Sequence, residues 1–210
     1  MTDSDLTLIG VLVDRSGSMT TCRTDMEGGL NTFLAEQATQ PGQLDVTLAQ
    51  FDTEYELVWE PTRVTDGNVA LYTLVPRGNT ALLDAMGRFV TEIGEALAAK
   101  PDSERPGKVI VCICTDGHEN SSRDWAKGQV KELVQQQIND YGWEFVFLGA
   151  NMDAVAEAGG LGIPRHSTLT FDTAHAHETC SVASGYVSGV RATGAASFSE
   201  KDRKTAMGGQ

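Results

Sequence analysis

Two continuous apolar runs stand out along the chain. Leu6 to Val13 reads LTLIGVLV and Lys108 to Cys114 reads KVIVCIC, and each stops abruptly at a polar cluster. Runs of this length, rich in β-branched residues and without polar alternation, predict strands buried on both faces. Leu44 to Phe51 and Tyr55 to Glu60, separated by a short Asp-Thr-Glu turn, predict an antiparallel hairpin. Phe145 to Leu148 and Leu169 to Phe171 predict two further short strands. Helical spacing is clearest at Leu83, Met86, Val90, Ile93 and Leu97, an apolar stripe with gaps of three and four. Met26, Leu30, Phe33 and Leu34 predict an earlier helix over Thr24 to Gln37. Gly28 and Gly29 within it imply either close packing or a late start, since each costs about 1 kcal/mol relative to Ala. Val130, Leu133, Val134 and Ile138 predict a third helix, with Ser121 or Ser122 as its cap. Met152 to Ala158 predicts a short helix, and Thr179, Val182, Tyr186 and Val190 a final one. Val64 to Val75 follows neither period, and Pro76 to Asn79 reads as a loop.

Buried strands alternating with amphipathic helices predict an α/β fold: a doubly wound, mostly parallel sheet with one antiparallel edge strand and helices on both faces. The expected domain covers residues 1–193. From Gly194 to Gln210 the pattern fades into Ala, Gly, Ser and charge, so residues 194–210 are expected to be a flexible tail.

Charge narrows the function. With 16 Lys and Arg against 29 Asp and Glu, the net charge is −13. Such a chain lacks the clustered cations that nucleic acid or anionic lipid requires, so neither is an expected partner. Met1 to Asp5 is polar and acidic, with no basic start or apolar run of a signal peptide, which makes the cytoplasm the expected location, a host's cytoplasm if the chain is phage-encoded. Cys22, Cys112, Cys114 and Cys180 show no zinc or CxxC spacing and are expected as free thiols, Cys112 and Cys114 as small buried hydrophobes.

The candidate chemistry lies in three loops, each expected at the carboxyl end of a strand or the entry to a helix, where open α/β sheets bind ligands. Asp14-Arg15-Ser16-Gly17-Ser18 follows the first strand, Gly78-Asn79-Thr80 precedes the clearest helix, and Thr115-Asp116-Gly117 follows the central strand. Asp14, Ser16, Ser18, Thr80 and Asp116 form an all-oxygen set without thiolate or imidazole, suited to Mg²⁺ or Mn²⁺. Each residue alone has a plainer reading, Asp14 as a turn cap and Thr80 as a helix N-cap; Asp84 reads as a solvated or capping residue. His166, His175 and His177 read as surface residues, and Trp59, Trp125 and Trp143 as packing residues.

Asp14-x-Ser16-x-Ser18, Thr80 within Gly-Asn-Thr-Ala-Leu-Leu-Asp-Ala, and Asp116 within Thr-Asp-Gly together resemble the metal-ion-dependent adhesion site of von Willebrand factor type A domains, in particular stand-alone bacterial or phage-encoded ones. The likeness extends over about Leu6 to Val190. It implies that Ser16 and Ser18 ligate a cation directly, Thr80 directly or through water, and Asp14 and Asp116 mostly through water, leaving a sixth position for a partner's carboxylate. With both carboxylates outside the inner shell, the cation keeps much of its attraction for an outside anion. Arg15, Asn79, Gly117, His118 and Glu119 are the candidate rim facing that partner. The reading that follows is a non-enzymatic, cation-dependent protein-interaction module. Two others stand beside it: a structural component of a bacterial or phage assembly, and a Mg²⁺-dependent hydrolase with His118 as general base.

Overall fold

A computed structural model describes residues 1–209. Its centre is a six-stranded sheet in the order β3-β2-β1-β4-β5-β6, formed by β1 (Asp3–Asp14), β2 (Gln43–Phe51), β3 (Tyr55–Val64), β4 (Pro106–Thr115), β5 (Glu144–Ala150) and β6 (Thr168–Phe171). All neighbours run parallel except β2 and β3, which form the expected hairpin with β3 at the edge. The predicted doubly wound α/β architecture is the one observed.

Strand side chains alternate between two cores, as a pleat of period two requires. Ile9, Val11 and Val13 of β1 pack with α1 (Arg23–Ala38) and α5 (Ala176–Thr193). Leu8 and Leu12 face the other way, toward α2 (Leu82–Ala98), α3 (Lys127–Tyr141) and α4 (Ala154–Gly160). Both faces are therefore dry, which is why β1 and β4 carry unbroken apolar runs. Gly29 resolves the ambiguity in α1: a Cβ there would stand 2.9 Å from Cys180 and 3.0 Å from the His177 backbone, so the glycine lets α1 and α5 approach closely. All four cysteines are free and buried. Trp125 packs flat against Gly87 of α2, and Trp143 is buried. Among the described residues no helix is long and apolar enough to cross a membrane.

Two expectations are corrected. Helix α3 begins at Lys127 rather than near Ser121 or Ser122. Ser122 caps a different helix: its Oγ accepts from the Asp84 N–H in the first turn of α2 at 3.0 Å. The expected flexible tail instead folds into α6 (Glu200–Ala206). Phe198 is buried and lies 4.5 Å from Tyr186, ring centre to ring centre. Ser199 and Asp202 exchange the two hydrogen bonds of a capping box, and Arg203 donates to the Thr168 and Arg165 carbonyls. Two apolar residues, Phe198 and the fully buried Ala206, are too few to make a visible stripe, yet they suffice because β6 offers an edge to cover.

Candidate metal centre

Asp14 ends β1 in register with Phe51 of β2 and is fully buried. Beyond it the chain turns through Gly17–Thr21, pinned by the buried Met19. The turn folds Ser16 back so that its N–H donates to Asp14 Oδ1 at 2.6 Å. Ser18 Oγ donates to Asp116 Oδ1 at 2.7 Å and lies 3.0 Å from Ser16 Oγ. Because the single Ser18 hydroxyl proton is committed to Asp116, Ser16 is the donor between the two serines. Thr115, which is not one of the five candidate ligands, closes the arrangement from the third loop by donating from Oγ1 to Asp14 Oδ2 at 2.6 Å. Both oxygens of Asp14 are thus held, one by each loop. Thr115 precedes Asp116 directly, and its side chain falls on the Asp14 side because successive strand residues alternate.

The second loop joins through backbone and glycine. Gly17 N–H donates to the Gly78 carbonyl at 3.1 Å. Gly78 has a φ of 68°, a left-handed conformation that glycine takes without strain. Thr80 is buried, and a Cβ at Gly117 would stand 2.7 Å from its Oγ1, so a glycine at 117 is what allows the second and third loops to meet. Asn120, which lies outside the expected rim, locks them together: its Oδ1 accepts from Thr80 N–H at 3.0 Å and its own N–H donates to the Thr80 carbonyl at 3.1 Å. All five predicted ligand positions are therefore brought to one place at the carboxyl end of β1 and β4.

Asp52, at the β2–β3 turn, anchors this arrangement from behind, and no motif in the chain points to it. Its Oδ2 accepts from Arg15 Nε at 2.9 Å and Arg77 Nε at 2.7 Å, and its carbonyl accepts from Ala81 N–H at 2.9 Å. Burial pushes its carboxyl up, but the bonds from Arg77 and Glu54 N–H and the charge of Arg15 outweigh that and hold it below the usual range.

The rim expectation divides. Asn79 and His118 are exposed and Gly117 is half-buried. Arg15 is corrected: only 5% exposed, it turns inward to Asp52 and to Glu56, whose Oε2 lies 2.6 Å from it. Glu119 is corrected as well. Its carboxylate accepts from the Leu83 N–H, one of the free N–H groups at the start of α2, and from the Ser121 and Ser122 N–H groups and Ser122 Oγ of its own loop. Asp84, in the first turn of α2, holds the loop before α3, accepting from the Arg123, Asp124 and Trp125 N–H groups.

Burial pushes the Asp14 carboxyl up to about 6, against the lowering effect of the bonds from Thr115 and Ser16, and the charge of Asp116 adds to the rise. Asp116 is raised too, by burial, with the Ser18 bond opposing. Arg15, the neighbouring cation in sequence, is spent on Asp52 and Glu56. Two carboxylates near one another, raised in pKa and ringed by the hydroxyls of Ser16, Ser18 and Thr80, fit a hard divalent cation. Among the described residues no group of three or more His, Cys, Asp or Glu side chains is placed to hold a metal ion, so hydroxyls rather than soft ligands would complete any such site.

No protein-family model and no curated protein sequence matches the chain. Solved structures do. A von Willebrand factor type A protein from Catenulispora acidiphila aligns at 18% identity over 90% of this chain and 43% of that one, with a TM-score of 0.60. Proximal thread matrix protein 1 from the mussel byssus, solved with a zinc-occupied MIDAS motif, aligns at 13% identity over 87% of this chain and 46% of that one, with a TM-score of 0.60. The manganese-loaded TRAP protein of Plasmodium vivax aligns at 15% identity over 83% of this chain and 71% of that one, with a TM-score of 0.56. The chain thus spans less than half the length of the bacterial and mussel proteins. Identities this low establish a likeness of fold.

Proposed function

Starting from the von Willebrand factor type A fold, we propose that this chain is a divalent-cation-dependent binding module, not an enzyme, which grips a carboxylate on a protein partner. What carries the reading is the hydrogen-bonded chain from Thr115 to Asp14 and from Ser16 through Ser18 to Asp116, a hydroxyl-rich acidic cluster without a protein cation. Metal at the corresponding motif of the mussel protein and in the Plasmodium protein supports it.

In this reading Ser16, Ser18 and Thr80 offer hydroxyl oxygens to Mg²⁺ or Mn²⁺, and Asp14 and Asp116 supply the balancing charge. A bound cation would provide the electrophilic position that a partner carboxylate completes. Asn120 and Gly117 hold the Thr80 loop against the Asp116 loop, and Asp52 holds it against the Asp14 loop. Asn79 and His118 stand outside the cluster, where they meet the partner.

The test has two stages. Isothermal titration with Mg²⁺ and Mn²⁺ measures the cation, with Asp14→Asn and Ser18→Ala as variants; saturable binding by the wild type and its loss in both variants is expected. Titration of the Mg²⁺-loaded protein with acetate and glutarate then probes the open position. Cation binding unchanged in both variants would sink the proposal.

A further inference from the structure

The sheet has a second concave feature, at the end opposite Asp14. A cavity of about 440 Å³ lies between the last turns of α2 and α3 and the start of β4. Its walls include Leu97, Pro106, Val109 and the buried Trp143. The volume falls in the range of small-molecule sites, roughly 300–1,000 Å³.

One polar group makes this more than an apolar hollow. Gln137, on the inner face of α3, lines the cavity and is only 8% exposed. Its side-chain amide makes no hydrogen bond with any described residue. Its polar atoms are also not among those sealed from solvent without a partner, so they keep some exposure, and the residue lines the cavity. A carboxamide this buried is ordinarily satisfied, because leaving one bare costs about 1–3 kcal/mol. The one cation on the lining is already engaged. Arg105 pairs with Asp102 at 2.9 Å and donates to the carbonyls of Leu97, Ala98 and Lys100, so it has little left for an anion. Glu95, exposed on the same lining, disfavours one further.

We propose that this cavity is a binding site for a small neutral ring compound that presents a planar amide edge to Gln137. A carboxamide carries a donor and an acceptor side by side, and an amide edge returns both at once. A ring fills the apolar part against Trp143, whereas an anionic group would lose its hydration with no counter-ion in return. The site is separate from the metal loops and does not depend on their reading.

The test is NMR on the ¹⁵N-labelled whole chain, titrated to millimolar concentration with benzamide and with benzoate, two probes of one shape and different charge. Benzamide is expected to shift the Gln137 side-chain amide and the Trp143 indole resonances saturably, and benzoate to bind at least about tenfold more weakly. Gln137→Met keeps the packing volume and removes the amide; it should weaken benzamide about tenfold. Gly94 lines the cavity, and a Cβ there meets nothing within 4 Å, so Gly94→Phe can occupy the space without a clash and should abolish binding. EDTA should leave the benzamide titration unchanged. The proposal is overturned if benzamide gives no saturable shift at those two resonances, if benzoate binds as well, or if Gln137→Met binds as the wild type does.

Discussion

Replacing Asp14 by Asn separates what this residue does for the fold from what it does for a cation. Asp14 is fully buried, and its carboxyl is pushed from 3.8 to about 6 by burial. The folded state therefore binds the proton more tightly than the unfolded chain does. Below the unfolded value both states are protonated and there is no penalty. As pH rises from about 4 to about 6 the unfolded chain releases the proton first, and the folded state loses stability. Roughly two pKa units correspond to about 3 kcal/mol at full ionisation. Asn at position 14 carries no charge at any pH, and it can keep both bonds, accepting from Ser16 N–H and donating to Thr115 Oγ1. In EDTA at pH 7.5, Asp14→Asn should thus be more stable than the wild type by up to about 3 kcal/mol, and near pH 4 the difference should vanish. Magnesium should reverse the order, since ligand at a thousand times its dissociation constant adds about 4.1 kcal/mol to the wild type and nothing to the variant. Urea denaturation at the two pH values, with EDTA and with Mg²⁺, reads all four numbers, and taking wild type minus variant cancels the titration of the other acids. An Asp14→Asn protein less stable than wild type in EDTA at pH 7.5, or equally raised by Mg²⁺, would refute the reasoning.

Other perturbations read the supports of the same cluster. Asp52→Ala removes the buried partner of Arg15 and Arg77, leaving them only the exposed Glu56 and Glu54, and should destabilise the chain by about 3–5 kcal/mol, the scale for breaking a buried ion pair; it should also weaken Mg²⁺ binding, measured by calorimetry at a temperature where the fold survives. Gly117→Ala places a methyl 2.7 Å from Thr80 Oγ1 and should lower cation affinity about tenfold or more with a smaller change in melting temperature; an unchanged affinity would show that Thr80 is not needed. Phe198→Ala removes the ring against Tyr186 and should cost about 3–5 kcal/mol in chemical denaturation; a cost near zero would return residues beyond Gly194 to the status of a loose tail.

The runs at Leu6 to Val13 and Lys108 to Cys114 determined the buried parallel strands, because a sheet covered on both faces leaves no polar alternation to confuse with anything else. The stripe from Leu83 to Leu97 did the same for α2, and the placing of Asp14, Thr80 and Asp116 next to these elements made the candidate cluster legible. What the chain order could not convey was orientation. Arg15 stands between Asp14 and Ser16, yet it faces Asp52, whose position depends on how the β2–β3 hairpin folds back. Glu119 has the look of a partner-facing acid and is consumed by N–H groups of its own loop and by the Leu83 N–H of α2, a helix that begins 37 residues earlier. Thr115 and Asn120 acquire their roles only when the sheet sets β4 beside β1 and the third loop against the second. Strand and helix follow from local periodicity, which a sequence displays. Which buried polar group satisfies which depends on contacts between segments far apart in the chain, and those exist only once the sheet has assembled.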